Sequence, residues 1–229
     1  VNPDLYVIIF SEVRQITGAE AVSRRNADFR RNGKMRKVNV KRKTGETEVE
    51  VTLNLDGEGK YDVNTDCGFL NHMLELFARH GGFDLCVKAK GDTQVDFHHT
   101  TEDVGITMGQ AFNKALGDKR GITRYGFFAL PMDLTMVLAA VDLSGRCALN
   151  YSLNIPAEKV GDFDTELARE FWAGFSRECP GAYHFHQLAG DDSHHIIEAS
   201  FKGMARALKT AVSIDEKHRD EIPSTKGVL

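Results

Sequence analysis

A chain of 229 residues, 41% of them hydrophobic, is long enough to bury a sizeable core, as one large domain or as two small packed halves. Its 29 Lys and Arg against 33 Asp and Glu leave a net charge of −4 and a pI near 6.2, which excludes a general attraction to nucleic acid or acidic membranes. The four cysteines, Cys67, Cys86, Cys147 and Cys179, form no CxxC pair, so the chain lacks the spacing of a zinc–cysteine site or a disulfide framework, and the thiols read as reduced.

Residues 1–34 read as an extension of unknown role: a short apolar run at Tyr6–Phe10, Gly18, then a basic polar stretch ending at Asn32-Gly33. The apolar run is too short to span a bilayer and lacks the flanks of a signal peptide, so a cytoplasmic location is expected. From Arg24 to Lys43 ten of twenty residues are Lys or Arg. Val38, Val40 and then Val49 and Val51 alternate with polar residues, the pattern of a half-buried strand with a charged outer face, and Phe29 as the one aromatic of the basic stretch does not make the aromatic interleaving of a nucleic-acid arm. The spacing predicts a strand from Arg36 through Leu55, a turn at Asp56-Gly57 and a short strand near Tyr61. It predicts a helix over Asn71–His80 that stops at Gly81-Gly82, a strand over Phe83–Lys90, and a helix from His98 to Leu116 closed by Gly117.

The second half repeats this order. Strands are expected at Thr135–Val141 and Cys147–Leu153, a helix at about Thr165–Arg177, a strand at Tyr183–Leu188, and a last helix reaching Ala211. Each final helix opens on the same motif, His98-His99-Thr100-Thr101-Glu102 and His194-His195-Ile196-Ile197-Glu198, 96 residues apart in matching contexts. That is the mark of an internal duplication. The expected class is α+β, each half laying two helices on one face of a mostly antiparallel sheet. The expected boundaries are a first half at about 35–120, a second at about 121–215 and a tail at 216–229.

Each HHxxE copy packs three potential metal ligands into five residues. On a helix the Glu is four residues from the first His and three from the second, so Glu102 and Glu198 are expected beneath both of their imidazoles. Adjacent helical residues diverge by about 100°, so His98 and His99 should serve different ions, as should His194 and His195. Two metal centres follow. A helix N-terminus repels a cation, which makes the carboxylates a needed part of each cluster. Imidazoles and carboxylates without thiolate suit a first-row divalent ion, and the set alone admits Mn, Fe, Co, Ni or Zn. Lone histidines such as His80 and His218 carry no such signal.

Around these motifs stand RKTGETEVEVTLNLDGEG, GFLNHML, HGGFDL, DFHHTTEDVGITMGQA, PMD, DLSGR, QLAGDDSHHIIEASFKGMARAL and the terminal PSTKGVL. In this order and spacing they resemble the imidazoleglycerol-phosphate dehydratase family, lyases of histidine biosynthesis, from about Arg36 to the C-terminus. The resemblance implies two βββαβα-like halves with a topology like ribosomal protein S5 domain 2, two Mn(II) ions per active site, and a homo-oligomer of 24 subunits with sites formed between neighbours. It implies no nucleic-acid or membrane partner. The substrate would be a small phosphorylated imidazole, D-erythro-imidazole glycerol phosphate, dehydrated to imidazole acetol phosphate.

Carried over position by position, the resemblance makes His72, His98, His99, Glu102, His184, His194, His195 and Glu198 the metal ligands and Glu46 the acid–base carboxylate. It assigns the substrate phosphate to Arg124, Arg146, Lys202, Ser224 and Lys226. Without it Glu46, Glu48 and Glu50 read as one polar strand face. Asn71 stands where the family commonly has Asp, which weakens the expected support of His72; Leu76, Leu134 and His186 replace a common Gln, Glu and Arg. Two other readings fit the metal motifs: a dinuclear metallohydrolase acting on a small phosphorylated substrate, and a non-catalytic metal-binding protein. The phosphate set and Glu46 favour the lyase over storage.

Overall fold

The computed structural model describes residues 36–229, and the expected extension at 1–34 lies outside them. The described residues form β1 (Lys37–Lys43), β2 (Thr47–Asn54), β3 (Tyr61–Asn64), α1 (Gly68–Gly81), β4 (Asp84–Gly91) and α2 (His98–Leu116), followed by β5 (Tyr125–Met132), β6 (Thr135–Asp142), β7 (Ala148–Ser152), the short pair β8 (Lys159–Val160) and β9 (Phe163–Asp164), α3 (Leu167–Glu178), β10 (Ala182–Ala189) and α4 (Ser193–Ala211). Apart from the β8–β9 hairpin, the order βββαβα occurs twice. The sheets repeat it too: β1-β2-β4-β3 and β5-β6-β10-β7. In each, three strands run antiparallel in turn and the third strand of the half joins the edge in parallel, β3 on β4 and β7 on β10.

The predicted single strand from Arg36 to Leu55 is a hairpin. Thr44-Gly45-Glu46 turns the chain, and the Thr44 hydroxyl accepts from the backbone N–H of Glu46 at 3.1 Å and of Thr47 at 3.0 Å. A hydroxyl serving two turn amides breaks the strand although the hydrophobic alternation continues on both sides. β5 also goes beyond the sequence reading. It is an edge strand, where Pro131 removes no needed ladder donor.

Why the helices sit between the sheets follows from strand alternation. Val49, Val51 and Leu53 of β2 and Val137, Ala139 and Val141 of β6 are buried on one face of each sheet, against the helical layer. The helices cross-pack between halves, α1 against α4 and α2 against α3. Trp172, Phe171, Phe175 and Phe201 meet there with ring centroids 5.0–6.4 Å apart, within the range of favourable aromatic pairs. α2 and α3 approach closely because glycine lies in the contact: a Cβ on Gly105 would stand 2.3 Å from the Phe171 carbonyl oxygen, and one on Gly109 2.5 Å from that of Phe175. Gly105→Ala should therefore lower the unfolding free energy by about 2 kcal/mol, the usual scale of overpacking. Chemical denaturation checks it, and a neutral result would show that the helices slide apart freely.

The outward faces differ. Rows such as Lys41–Glu50–Lys88 and Lys43–Glu48–Lys90 cover the first sheet, as the charged-face reading expects of β1. The second sheet presents Phe127, Ala140 and His184 in one row and Ala129, Leu138 and His186 in the next, with Met136 and Leu188 nearby. Phe127 is 75% exposed and Leu134, at the β5–β6 turn, 85%. The described residues include no helix long and apolar enough to cross a membrane.

Candidate metal centre

Both HHxxE copies open their helices as expected. Asp192 caps α4 by accepting from the His195 N–H at 2.9 Å, and Asp96 accepts from the His98 N–H at 2.7 Å. The adjacent imidazoles diverge as the helical angle requires, with ring planes 84° apart in each pair.

The second copy meets α1. His72, His194 and Glu198 offer donor atoms that all lie within 4.8 Å of one another. Glu198 Oε2 is 3.1 Å from His194 Nε2 and 3.4 Å from His72 Nε2, while Oε1 accepts from Lys202 at 2.5 Å. Burial pushes the Glu198 carboxyl up, but the bond and charge of Lys202, then His72 and His194, outweigh it and hold it below the usual carboxylate range. Glu198 is thus an ionised oxygen donor at neutral pH. Two imidazoles and one carboxylate in this space suit a divalent first-row ion. His195 does not join them; its Nδ1 stands 3.8 Å from Asp133. The expectation that Glu198 lies beneath both imidazoles holds only for the i, i+4 partner.

The first copy meets α3, which faces Glu102 with a cation. Arg177 donates to Glu102 Oε1 at 2.6 Å, so Glu102 is not bonded to either neighbouring imidazole. His99 Nδ1 lies 3.0 Å from Asp92 Oδ2 and 3.9 Å from Glu46 Oε2. The Asp92 bond raises the His99 pKa, burial lowers it, and the Glu46 charge raises it further. Glu46 reaches His99 because Asp103, one residue past the motif, ties α2 to the hairpin that carries Glu46. Arg42 donates to Asp103 at 2.8 Å and the Thr47 hydroxyl donates to its other oxygen. Sequence reasoning missed Asp92, Asp103 and Arg177; only Asp103 carried a signal, its place directly after HHTTE. The Asn71 side-chain oxygen accepts from the N–H and hydroxyl of Thr65, at 2.9 and 2.7 Å, and holds the β3–α1 loop.

The remaining assigned residues lie elsewhere. His184 points from β10 to the outer face of the second sheet, away from α4. Arg124, in the left-handed region at φ 73°, forms a two-pronged pair with Asp142 at 2.7 and 3.1 Å and donates to the Pro223 carbonyl at 2.8 Å. Gly145, next to Arg146, packs on the C-terminal Leu229, so Arg124, Arg146 and Ser224 share the region of the tail. Arg124 N–H also bonds the carbonyl of Ala211, at the far end of α4 from His194. At a rise of about 1.5 Å per residue the two ends are about 25 Å apart. Of the assigned anion binders only Lys202 stands beside the His–Glu group. Arg124→Ala should loosen the tail and cost about 2 kcal/mol, the scale of charged hydrogen bonds lost. Faster proteolysis within 216–229 and a lower melting temperature check it; an unchanged cleavage rate would show that the tail is held without Arg124.

The imidazoleglycerol-phosphate dehydratase family matches residues 65–208. An imidazoleglycerol-phosphate dehydratase of Methylorubrum populi is 53% identical over 195 residues, 85% of this chain and 100% of that one. Another, of Desulforamulus reducens, is 54% identical over 194 residues, 85% of this chain and 98% of that one. The crystal structure of the dehydratase from Staphylococcus aureus aligns with a TM-score of 0.71 at 37% identity, over 78% of this chain and 99% of that one. That of the Pyrococcus furiosus protein, in complex with (S)-C348, aligns with 0.72 at 37%, over 83% and 100%. With its duplicated βββαβα halves and its paired HHxxE helices, the chain belongs to the imidazoleglycerol-phosphate dehydratase family, hydro-lyases of histidine biosynthesis.

Proposed function

We propose that this chain removes water from D-erythro-imidazole glycerol phosphate to give imidazole acetol phosphate, with two Mn(II) ions per site, in sites completed by neighbouring subunits of a 24-subunit homo-oligomer in the cytoplasm. The reaction breaks the C–O bond beside the imidazole ring and the C–H bond on the next carbon, and the enol formed becomes the ketone. No carbonyl acidifies that C–H bond. Mn(II), held by the His and Glu residues, would supply Lewis-acid activation.

The chain's own residues do the rest. His72, His194 and Glu198 would hold one ion, with His98, His99, Glu102, His184 and His195 completing the pair across subunits. Glu46 would move the proton at the reacting carbon, a role that needs a carboxylate close to a ligand and open to substrate. Lys202 beside Glu198, with Arg124, Arg146, Ser224 and Lys226 from the tail region, would bind the phosphate through paired Arg donors and a point charge.

The observation that carries this reading is the His72–His194–Glu198 group with Lys202 on its carboxylate. The need for a second subunit rests on distance: a small substrate cannot touch the start of α4 and the tail about 25 Å away in one chain. His184 on the outer face of the second sheet, between Ala140 and Asn150 and in the row that ends on the exposed Phe127, fits a ligand given to a neighbour. An assay of the Mn-loaded protein on imidazole glycerol phosphate tests it. Ketone product without phosphate release is expected; phosphate release would make the protein a hydrolase, and no product would leave a metal-binding protein.

A further inference from the structure

Asp92, Asp96 and Asp192 stand just before the two HHxxE helices, and they do different work. Asp96 and Asp192 each accept from a backbone N–H of the first turn and so hold the helix start. Asp92, the residue directly after β4, does not. Among the described residues its side chain makes one hydrogen bond, Oδ2 accepting from His99 Nδ1 at 3.0 Å, while Oδ1 is buried without a partner. The carboxylate is half-buried, and leaving one of its oxygens unpaired away from water costs stability.

The internal duplication sharpens the contrast. Gly190 packs on Thr135 at the start of β6 as Gly91 packs on Thr47 at the start of β2, so the aspartate that follows, Asp191, is the counterpart of Asp92. Asp191 is exposed and, among the described residues, makes no hydrogen bond or ion pair to His195, whose Nδ1 stands 3.8 Å from Asp133. Only the first copy folds this aspartate onto its histidine.

We propose that Asp92 is a positioning residue for His99: it accepts the Nδ1–H, fixes the ring, and leaves the Nε2 lone pair as the metal donor. This rests on the reading of His99 as a metal ligand. A neutral imidazole carries one N–H, so a carboxylate held at Nδ1 settles which nitrogen can donate to an ion. It also makes that nitrogen more basic. Glu46, more distant and open to solvent, stays available for proton transfer.

The test is Mn(II) titration of the full-length protein by calorimetry, with a crystal structure of the Mn-loaded wild type. Asp92→Ala should weaken one class of sites by about 10–100-fold, the usual cost of losing such a partner. Asp92→Asn, whose amide oxygen accepts the same bond, should restore most of the affinity, an outcome that a charge role would not give; the ligating nitrogen seen in the crystal separates positioning from mere packing. In the crystal, His99 should bind metal through Nε2 with Nδ1 on Asp92. Ligation through Nδ1, or wild-type affinity in Asp92→Ala with Nε2 on the metal, overturns this proposal alone. Should the alanine variant not fold, Asp92→Asn and the ligating nitrogen decide: weakening in the asparagine variant equal to loss of the site overturns the proposal. A crystal with metal bound and His99 away from it overturns the ligand reading as well.

Discussion

Replacing Glu46 by Gln should cut turnover by about 10²–10⁴-fold, the range of a lost general acid or base, while metal content and particle size stay those of the wild type. Glu46 sits in the β1–β2 turn with 58% of its side chain exposed, and among the described residues its carboxylate accepts no hydrogen bond. The amide is of equal size, so folding should not change. What changes is the ability to move a proton beside His99, from which the carboxylate stands 3.9 Å. Steady-state kinetics with elemental analysis and light scattering on the same preparation separate the cases. Wild-type turnover would make Glu46 a polar strand-end residue like Glu48, whose carboxylate simply pairs with Lys43 at 2.7 Å. Lost metal together with lost turnover would instead make it a support of His99.

How far the sequence alone reached follows from which interactions are local. The first HHxxE helix was legible end to end, His98 to Leu116 with Gly117 beyond, because the motif, the apolar spacing and the closing glycine are all written within twenty residues. The duplicated architecture was legible for the same reason, as a repeated order of local signals. The β1–β2 hairpin was not, since its turn depends on one threonine hydroxyl inside an unbroken alternation.

Long-range pairing was beyond reach in another way. Arg124 reads as a free cation, yet Tyr125 is registered opposite Asp142 across β5 and β6, and that register places Arg124 on the Asp142 carboxylate. Asp92 and Glu46 converge on His99 only after β4 and the hairpin share a sheet. Lys202 and Glu198 are four apart on one helix and could have been paired from sequence. The lysine's role toward a substrate phosphate is only what the family resemblance implies. The register explains how Glu46 and Asp92 reach the same imidazole.

Removing metal should lower the oligomeric state, and Mn(II) should restore it. Among the described residues of one chain only His72, His194 and Glu198 gather, while Glu102 is engaged by Arg177 and His184 lies on the far face of the second sheet. If neighbouring subunits bring these groups together, each ion ties chains to one another, and its free energy of binding is also free energy of assembly. Without it, imidazoles and carboxylates would face one another across an interface with their charges uncompensated. The apolar side chains Phe127, Ala140, Ala129 and Leu138 share a face with His184, but their burial does not itself need metal. Contacts through them should survive, so chelation is expected to give a smaller oligomer, a trimer on the family resemblance, and not a monomer. Light scattering on chelated and reloaded protein checks this. A large particle unchanged through complete metal loss would show that protein contacts alone hold the shell, and monomers would show that the apolar face of the second sheet is not an interface that stands by itself.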